Sequence, residues 1–323
     1  MAIDTPVTKR LGVQHPILLA PMDLVSDAQL VRAVAGAGAF GILGGGYGNE
    51  TWLRTELDSL GNTGTRFGVG FITWSLARQP HLLQLALDSQ PVAIMLSFGD
   101  PSPFVRQIKE SGAQLICQVQ SLVMARHAVD TGADMLIAQG TEGGGHGASR
   151  GLFTLLPEIV DAFGDRVPVI AAGGIADGRG LAAALMLGAS AVLLGTRFYA
   201  TEEAAAATSA KQRICAASGD DTVRSVVFDI SRRNVWPAPF AGRCLRNEHL
   251  DRWLGREVEL LRCLDEEADR YAVARSEGNF DIAAVIAGEA AGLIDDVLSA
   301  GDVIAAMASG ASDALARRRS VVM

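Results

Sequence analysis

Residues 167–197 read VPVIAAGGIADGRGLAAALMLGASAVLLGTR, and this stretch decides the fold. It opens with a β-branched apolar run, Val169–Ala172, which ends in Gly173-Gly174-Ile175. An Ala- and Leu-rich stretch, Arg179–Leu187, follows and stops at Gly188, where a helix C-cap belongs. A second apolar run, Ala191–Gly195, leads into Thr196-Arg197. Strand, glycine turn, helix and strand within about thirty residues make one βαβ unit. Both runs are apolar throughout rather than alternating, as parallel strands buried on both faces require.

The same unit recurs upstream. Candidate strands are Pro16–Ala20, Phe40–Leu43, Phe67–Phe71, Val92–Ser97, Leu115–Val119 and Met135–Gln139. Between them Asp27–Ala37, Pro80–Asp88, Pro103–Ser111 and Val123–Thr131 read as helices, with Gly38, Gly112 and Gly132 at cap positions. The second unit is less regular, with a long glycine turn at Gly44–Gly48, and the helices flanking the third strand have no clear limits. Eight strands before residue 200, about 25 residues per unit, predict an α/β chain folded as a (β/α)8 TIM barrel.

Beyond Thr201 the character changes. Glu202–Ser218, Glu248–Glu267 and Phe280–Ser309 read as helices, and Thr222–Asp229 is the one strand-like run. Around Trp236-Pro-Ala-Pro239 the chain is Arg-rich and irregular, since proline breaks a helix. The expected division is a barrel over residues 1–200 and a smaller, mostly helical region over 201–323. That region would form a lid on the barrel mouth, with its last helices packing back on the barrel. Arg317-Arg318-Arg319 is expected to be a solvated or disordered end.

Composition narrows the function classes. Nearly half the residues are apolar (49%), yet Gly, Pro or a charge breaks every apolar run before the roughly 18 residues a membrane span needs. Met1–Arg10 has no apolar leader core, so a cytoplasmic protein is expected. A net charge of −8 argues against a nucleic-acid surface. The four cysteines include no C-x-x-C pair, which favours reduced thiols over a metal or disulfide framework.

A barrel of this type carries its chemistry on the loops at the C-terminal ends of its strands. Those loops are Ala20-Pro21-Met22-Asp23 after the first strand, Gln139–Gly147 after the sixth, Gly173-Gly174-Ile175 after the seventh and Gly195-Thr196-Arg197 after the eighth. The last two present glycine amides that an anion can approach without a Cβ in the way, as in the phosphate sites this fold builds there. In Gly143-Gly144-Gly145-His146-Gly147, His146 is a candidate general base. His15, His81, His127 and His249 sit at the N-terminal end or in helical contexts and read as structural or solvated. No second ligand lies at metal-site spacing from His146, and Cys117 falls inside a strand, where it reads as a small buried apolar residue.

Together, Ala20-Pro21-Met22, Gln139–Gly147, Ala171–Ile175 and Leu194–Arg197 resemble the nitronate monooxygenase family, formerly 2-nitropropane dioxygenases, over roughly residues 10–250. The resemblance implies an FMN-dependent monooxygenase, and it brings in the related FMN-dependent enoyl-ACP reductases and NADH:quinone reductases. On matching positions, Pro21 and Met22, with Ala20 before them, would line the isoalloxazine edge. Gln118 and Gln139 would contact the ring or ribityl chain beside Gly144 and Gly145. Gly173, Gly174, Gly195 and Thr196 would hold the phosphate. Some relatives carry amide, basic or acidic residues near the positions of Gly70, Gln118 and Gln139, and no role carries over to 232–246.

The implied substrate is an alkyl nitronate or its nitroalkane, oxidised with O2 to a carbonyl compound and nitrite, with His146 removing the α-proton. Two other chemistries stay open. One is NAD(P)H-dependent reduction of a quinone or enoyl thioester on the same FMN. The other is a flavin-free barrel holding a phosphorylated ligand. A small-molecule substrate and no nucleic-acid or membrane partner are expected, and oligomeric state is left open, a homodimer among the options.

Overall fold

The structure is a computed structural model that describes residues 3–61 and 63–319, without the side chains of Arg318 and Arg319. Eight parallel strands form the barrel: β1 (Ile17–Leu19), β2 (Gly41–Gly44), β3 (Phe67–Ile72), β4 (Ala93–Ser97), β5 (Gln114–Val119), β6 (Met135–Gln139), β8 (Val169–Ala172) and β9 (Ala191–Leu194). The gap in numbering is β7 (Gly145–Gly147), which lies outside the barrel. β1 pairs with β9, and a parallel bridge between Leu18 and Phe40 joins it to the β2 side, so the ring closes. The predicted barrel is therefore the observed fold.

Alternation along the strands builds two cores. Leu18, Ile42, Met95, Ile116, Ile137, Ile170 and Leu193 point into the barrel and pack together. Their neighbours Ile17, Leu43, Ile94, Leu115, Leu136, Val169 and Val192 face the surrounding helices. Successive strand side chains point to opposite faces, so an unbroken apolar run is what a barrel wall sheathed in helices needs. The helix Pro6–Leu11 adds Val7 and Leu11 to the interior cluster and caps it.

The C-terminal region differs from the expected helices. Helix forms only at Thr208–Ala216 within 202–218, and 248–267 splits at Leu254-Gly255 and Cys263 into Glu248–Trp253, Glu257–Arg262 and Leu264–Glu277. Gly255 takes a φ of +78°, which ends the first of these. The strand-like run ends early, giving β10 (Thr222–Ser225) and a helix Val227–Ser231. β11 (Ala241–Leu245), which carried no sequence signal, pairs antiparallel with β10 and with β7.

Residues 280–299 are not helical apart from a 3-10 turn at Glu289–Leu293. Their backbone docks on the barrel loops instead: a Cβ on Gly288 would lie 2.5 Å from the Glu142 carbonyl, and Glu289 N–H donates to that oxygen at 2.9 Å. The long helix Ala300–Arg319 then packs Val303, Ile304, Met307 and Ala311 into the outer core. It carries Arg317–Arg319 in helical conformation rather than as an irregular end.

Candidate active site

Glycine and proline shape the floor of the site. A Cβ on Gly70 would stand 2.3 Å from Pro21 Cγ, and one on Gly44 would meet the Met22 carbonyl at 2.4 Å. Only bare backbone at Gly44, which ends β2, and at Gly70 within β3 lets the Pro21-Met22 turn fold over the barrel mouth. The first strand thereby contributes Ala20, Pro21 and Met22 to a cavity of about 470 Å³. β5 and β6 add Gln118 and Gln139, and the following loop adds Gly144, Gly145 and His146. Gly173, Gly174, Gly195 and Thr196 complete the wall, so every residue singled out from sequence lines this one space. Its size is that of a typical small-molecule pocket.

On one side lies a cradle of free amides. Gly173 and Gly174 take φ of +103° and +71°, open only to glycine at low cost. Among the described residues, the N–H groups of Gly173, Gly174 and Gly195 have no hydrogen-bond partner. A Cβ placed on Gly195 would meet nothing closer than Ala20 Cβ at 3.8 Å, so the cradle is open towards the cavity. Thr196 Oγ1 accepts from the Gly288 amide at 2.9 Å, tying residues 280–299 to this edge. Backbone amides grouped in this way favour an oxyanion.

On the other side stands His146, 9% exposed. It belongs to β7, opposite Gly242 of β11, rather than to an open loop. Its Nε2 lies 3.0 and 2.9 Å from the two carboxylate oxygens of Asp229, itself 5% exposed. A carboxylate only accepts, so Nε2 carries the proton and Nδ1 is left as the basic nitrogen. Burial pushes the imidazole pKa below its ordinary value, while the bond and charge of Asp229 pull it back up. Trp236 lies flat on the ring, with centroids 3.4 Å apart and planes 6° apart, and donates from Nε1 to Tyr47 Oη at 3.1 Å.

The loop that carries His146 is fastened from below and from above. Gln139 Nε2 donates to the His146 carbonyl at 3.0 Å, while Gln139 Oε1 accepts from Gln118 and Gln120. Arg224 donates to the carbonyls of Thr141 and Gly143 at 2.9 and 3.0 Å, and also to those of Gly145, Gly147 and Ala241. Burial lowers the Arg224 pKa to about 10, so it remains a cation at neutral pH. Phe98 and Leu24, both in the cavity wall, have φ of +62° and +59°. Strain of this kind in residues with a Cβ gathers at functional sites.

Asp229, Trp236 and Arg224 had no reading from sequence as site residues. Asp229 left one usable trace, a lone carboxylate closing the apolar run Val226-Val227-Phe228. Of the other groups weighed, Cys117 is buried in β5 with its thiol pKa pushed up to about 12, which keeps it protonated. His249 is buried against Ser231 Oγ at 2.8 Å.

Residues 71–310 match the family described as nitronate monooxygenase. The chain belongs to the nitronate monooxygenase family. The nitronate monooxygenase of Neurospora crassa is 32% identical to it, over 93% of this chain and 88% of that protein. The (3aS,4S,5R,7aS)-5-hydroxy-7a-methyl-1-oxo-octahydro-1H-indene-4-carboxyl-CoA dehydrogenase of Mycobacterium tuberculosis is 36% identical over 71% of this chain. That match spans 65% of the dehydrogenase, just under two-thirds of its length. Among solved structures, FabK from Thermotoga maritima superposes with a TM-score of 0.86 at 31% identity, covering 99% of each chain. Nitroalkane oxidase from Streptomyces ansochromogenes gives 0.80 at 26% identity, covering 98% of this chain and 99% of that one. Both superpositions span the family barrel and the C-terminal region together.

Proposed function

We propose that this member of the nitronate monooxygenase family is an FMN-dependent oxidoreductase. Its substrates would be alkyl nitronates and nitroalkanes, converted with O2 to a carbonyl compound and nitrite. The observation that carries the reading is the buried His146–Asp229 pair facing a cradle of unpaired amides across one cavity. The cradle fits the group: Gly173, Gly174 and Gly195 offer N–H donors to a phosphate, with Thr196 beside them. Pro21, Met22, Gln118 and Gln139 then border the rest of the cofactor. FMN supplies the two-electron oxidation and the reaction with O2.

The chain's own work is to bind, orient and move one proton. Asp229 holds the proton of His146 at Nε2, and Nδ1 accepts the proton α to the nitro group. Burial keeps the imidazole neutral at neutral pH, the form a base needs. Trp236 closes one face of the imidazole and holds the ring in its plane. A preformed nitronate has already lost that proton. His146→Asn is therefore expected to cut nitroalkane turnover by about 100-fold or more and nitronate turnover far less. Equal loss on both substrates would remove His146 from the base role.

A second reading is favoured by the likeness to FabK from Thermotoga maritima. In it the same flavin site takes NAD(P)H and a quinone or enoyl thioester. Anaerobic titration separates the two. Bleaching of the flavin by a nitronate and not by NADH supports the first reading, and the reverse pattern supports the second.

A further inference from the structure

Trp236 lines the cavity at the centre of an aromatic cluster, and its ring contacts are of two kinds. Against Tyr47, Trp74 and Phe98 its plane stands at 88°, 78° and 79°, with centroids 6.0, 5.3 and 5.1 Å apart. Neutral aromatic rings prefer such edge-to-face packing, because the positive rim of one meets the negative face of the other. The contact with His146 is different. There the planes lie within 6° of each other and the centroids are 3.4 Å apart, so the rings overlap almost fully. Two neutral rings disfavour that sandwich, since their negative faces then oppose one another. A cation over an indole face is instead attracted by the ring quadrupole.

The charges around the imidazole give such a partner a use. When Nδ1 takes a proton, a positive charge forms in a site almost closed to water. Burial opposes that charge most, Asp229 favours it, and the guanidinium groups of Arg232 and Arg224 oppose it. On β11, Arg243 is paired with Glu289 at 3.0 Å, and the Cys244 thiol, pushed up to about 12 by burial, stays neutral. The Tyr47 hydroxyl, also pushed up to about 12 by burial, keeps its proton. Asp229 is therefore the one anion set against two guanidinium groups and the forming imidazolium. The Trp236 Nε1 proton is already donated to Tyr47 Oη at 3.1 Å, which leaves the indole face richer in electrons.

The chain holds the stack from both ends. The loop bearing Trp236 runs from the helix Val227–Ser231, which carries Asp229, to β11, which pairs with β7 beside His146. Phe240, at the end of that loop, packs edge-on against Phe98 with centroids 5.1 Å apart. We infer that Trp236 is a positioning residue acting through His146, its indole face stabilising the imidazolium that forms when the base takes the substrate proton. The inference rests on the proposed base role of His146 for its place in turnover, whereas the stabilisation of the charged ring does not.

A graded series tests the electronic role at nearly constant shape. At a suppressed stop codon, Trp236 is replaced by tryptophans carrying one, two, three or four ring fluorines, with Trp52, Trp74 and Trp253 unaltered. Fluorine drains the π face while scarcely enlarging the indole, so packing is kept and the attraction for a cation weakens stepwise. His146 is titrated by NMR in the flavin-loaded protein with isotope-labelled histidine, its signals assigned by their absence in His146→Asn. The acid dissociation constant of the imidazolium is expected to rise at each step, by about tenfold over the whole series. Nitroalkane kcat/KM on its high-pH plateau, read without acidifying the protein, should fall several-fold over the same series while nitronate turnover stays level.

A dissociation constant and a nitroalkane plateau that both stay constant across the series would overturn the inference and leave Trp236 a packing residue. Fluorine also strengthens Nε1–H as a donor, so the series is repeated in Tyr47→Phe, where that bond is gone. A trend that persists there supports the π face as its source, and one that vanishes overturns it. Equal loss of both substrates in His146→Asn would strike the base reading alone, with the graded dissociation constant still supporting the stack.

Discussion

At the scale of single residues, the central group is Asp229 acting through His146. Its carboxylate spans Nε2 at 2.9 and 3.0 Å in a region almost closed to water. The pair therefore fixes the tautomer as well as the ring orientation. The sign of the pH effect follows. Burial lowers the imidazole pKa and Asp229 raises it, so removing the negative charge lowers it further. With His146 as the proposed base, nitroalkane turnover would need its neutral form and would be lost as pH falls through that pKa. In Asp229→Asn the acid limb of kcat/KM should move to lower pH, while kcat at neutral pH falls by about 100-fold because the amide keeps one acceptor oxygen but no negative charge to stabilise the protonated ring that forms as Nδ1 takes the proton. A pH profile with an unmoved acid limb would make Asp229 a packing residue only. With nitronate as substrate the same variant should retain most of its activity.

At the scale of elements, the site depends on chain segments that approach more closely than side chains allow. Gly144 and Gly288 face each other where residues 280–299 dock on the loop after β6. A Cβ on Gly288 would lie 2.5 Å from both the Glu142 carbonyl and the Gly144 amide. Both obstacles are backbone, so relief requires moving the loop that carries His146. Gly288→Ala is expected to destabilise the fold by about 1–3 kcal/mol and to weaken flavin retention. Thermal melts and flavin absorbance per protein check this, and an alanine variant with unchanged melting and full flavin content would show that the segment moves freely.

Element boundaries divide by physical cause. The barrel strands were legible because burial on both faces leaves an apolar run bounded by glycine, and Met135–Gln139 and Val169–Ala172 match residue for residue. Residues 280–299 read as helix because alanine is their commonest residue, yet alanine also permits close backbone docking, and local propensity cannot separate the two. β11 left no periodic signal because Gly242 and Arg243 are chosen for their neighbours, the His146 ring and the Thr141 carbonyl.

At the scale of the whole molecule, the C-terminal region encloses a cavity that the barrel alone would leave open. The helix Ala300–Arg319 anchors that region on the outer core, with Gly310 against Gly178. The segment before it lays Gly288 beside Thr196 on the side of the glycine amides, and β10 and β11 support the histidine side. A cofactor bridging both sides should couple to global stability. Removing the flavin is expected to lower the melting temperature by about 5 °C, on the basis of about 3 kcal/mol of linkage at a hundredfold excess over Kd. FMN should restore it and riboflavin should not, because the unpaired amides at Gly173, Gly174 and Gly195 need the phosphate. Full recovery with riboflavin would remove the phosphate role from that cradle.

The sequence by itself determined the barrel, the strand ends that meet at its mouth, and those cavity residues that lie at the strand ends. Those features are encoded locally, in runs of apolar residues and the glycines that end them. The partner of His146, the indole stacked on it and the arginine that fastens its loop were decided by tertiary structure alone. Each joins positions far apart in the chain, 83 residues in the case of His146 and Asp229. No local periodicity records such a pairing, because it exists only once the C-terminal region has closed over the barrel.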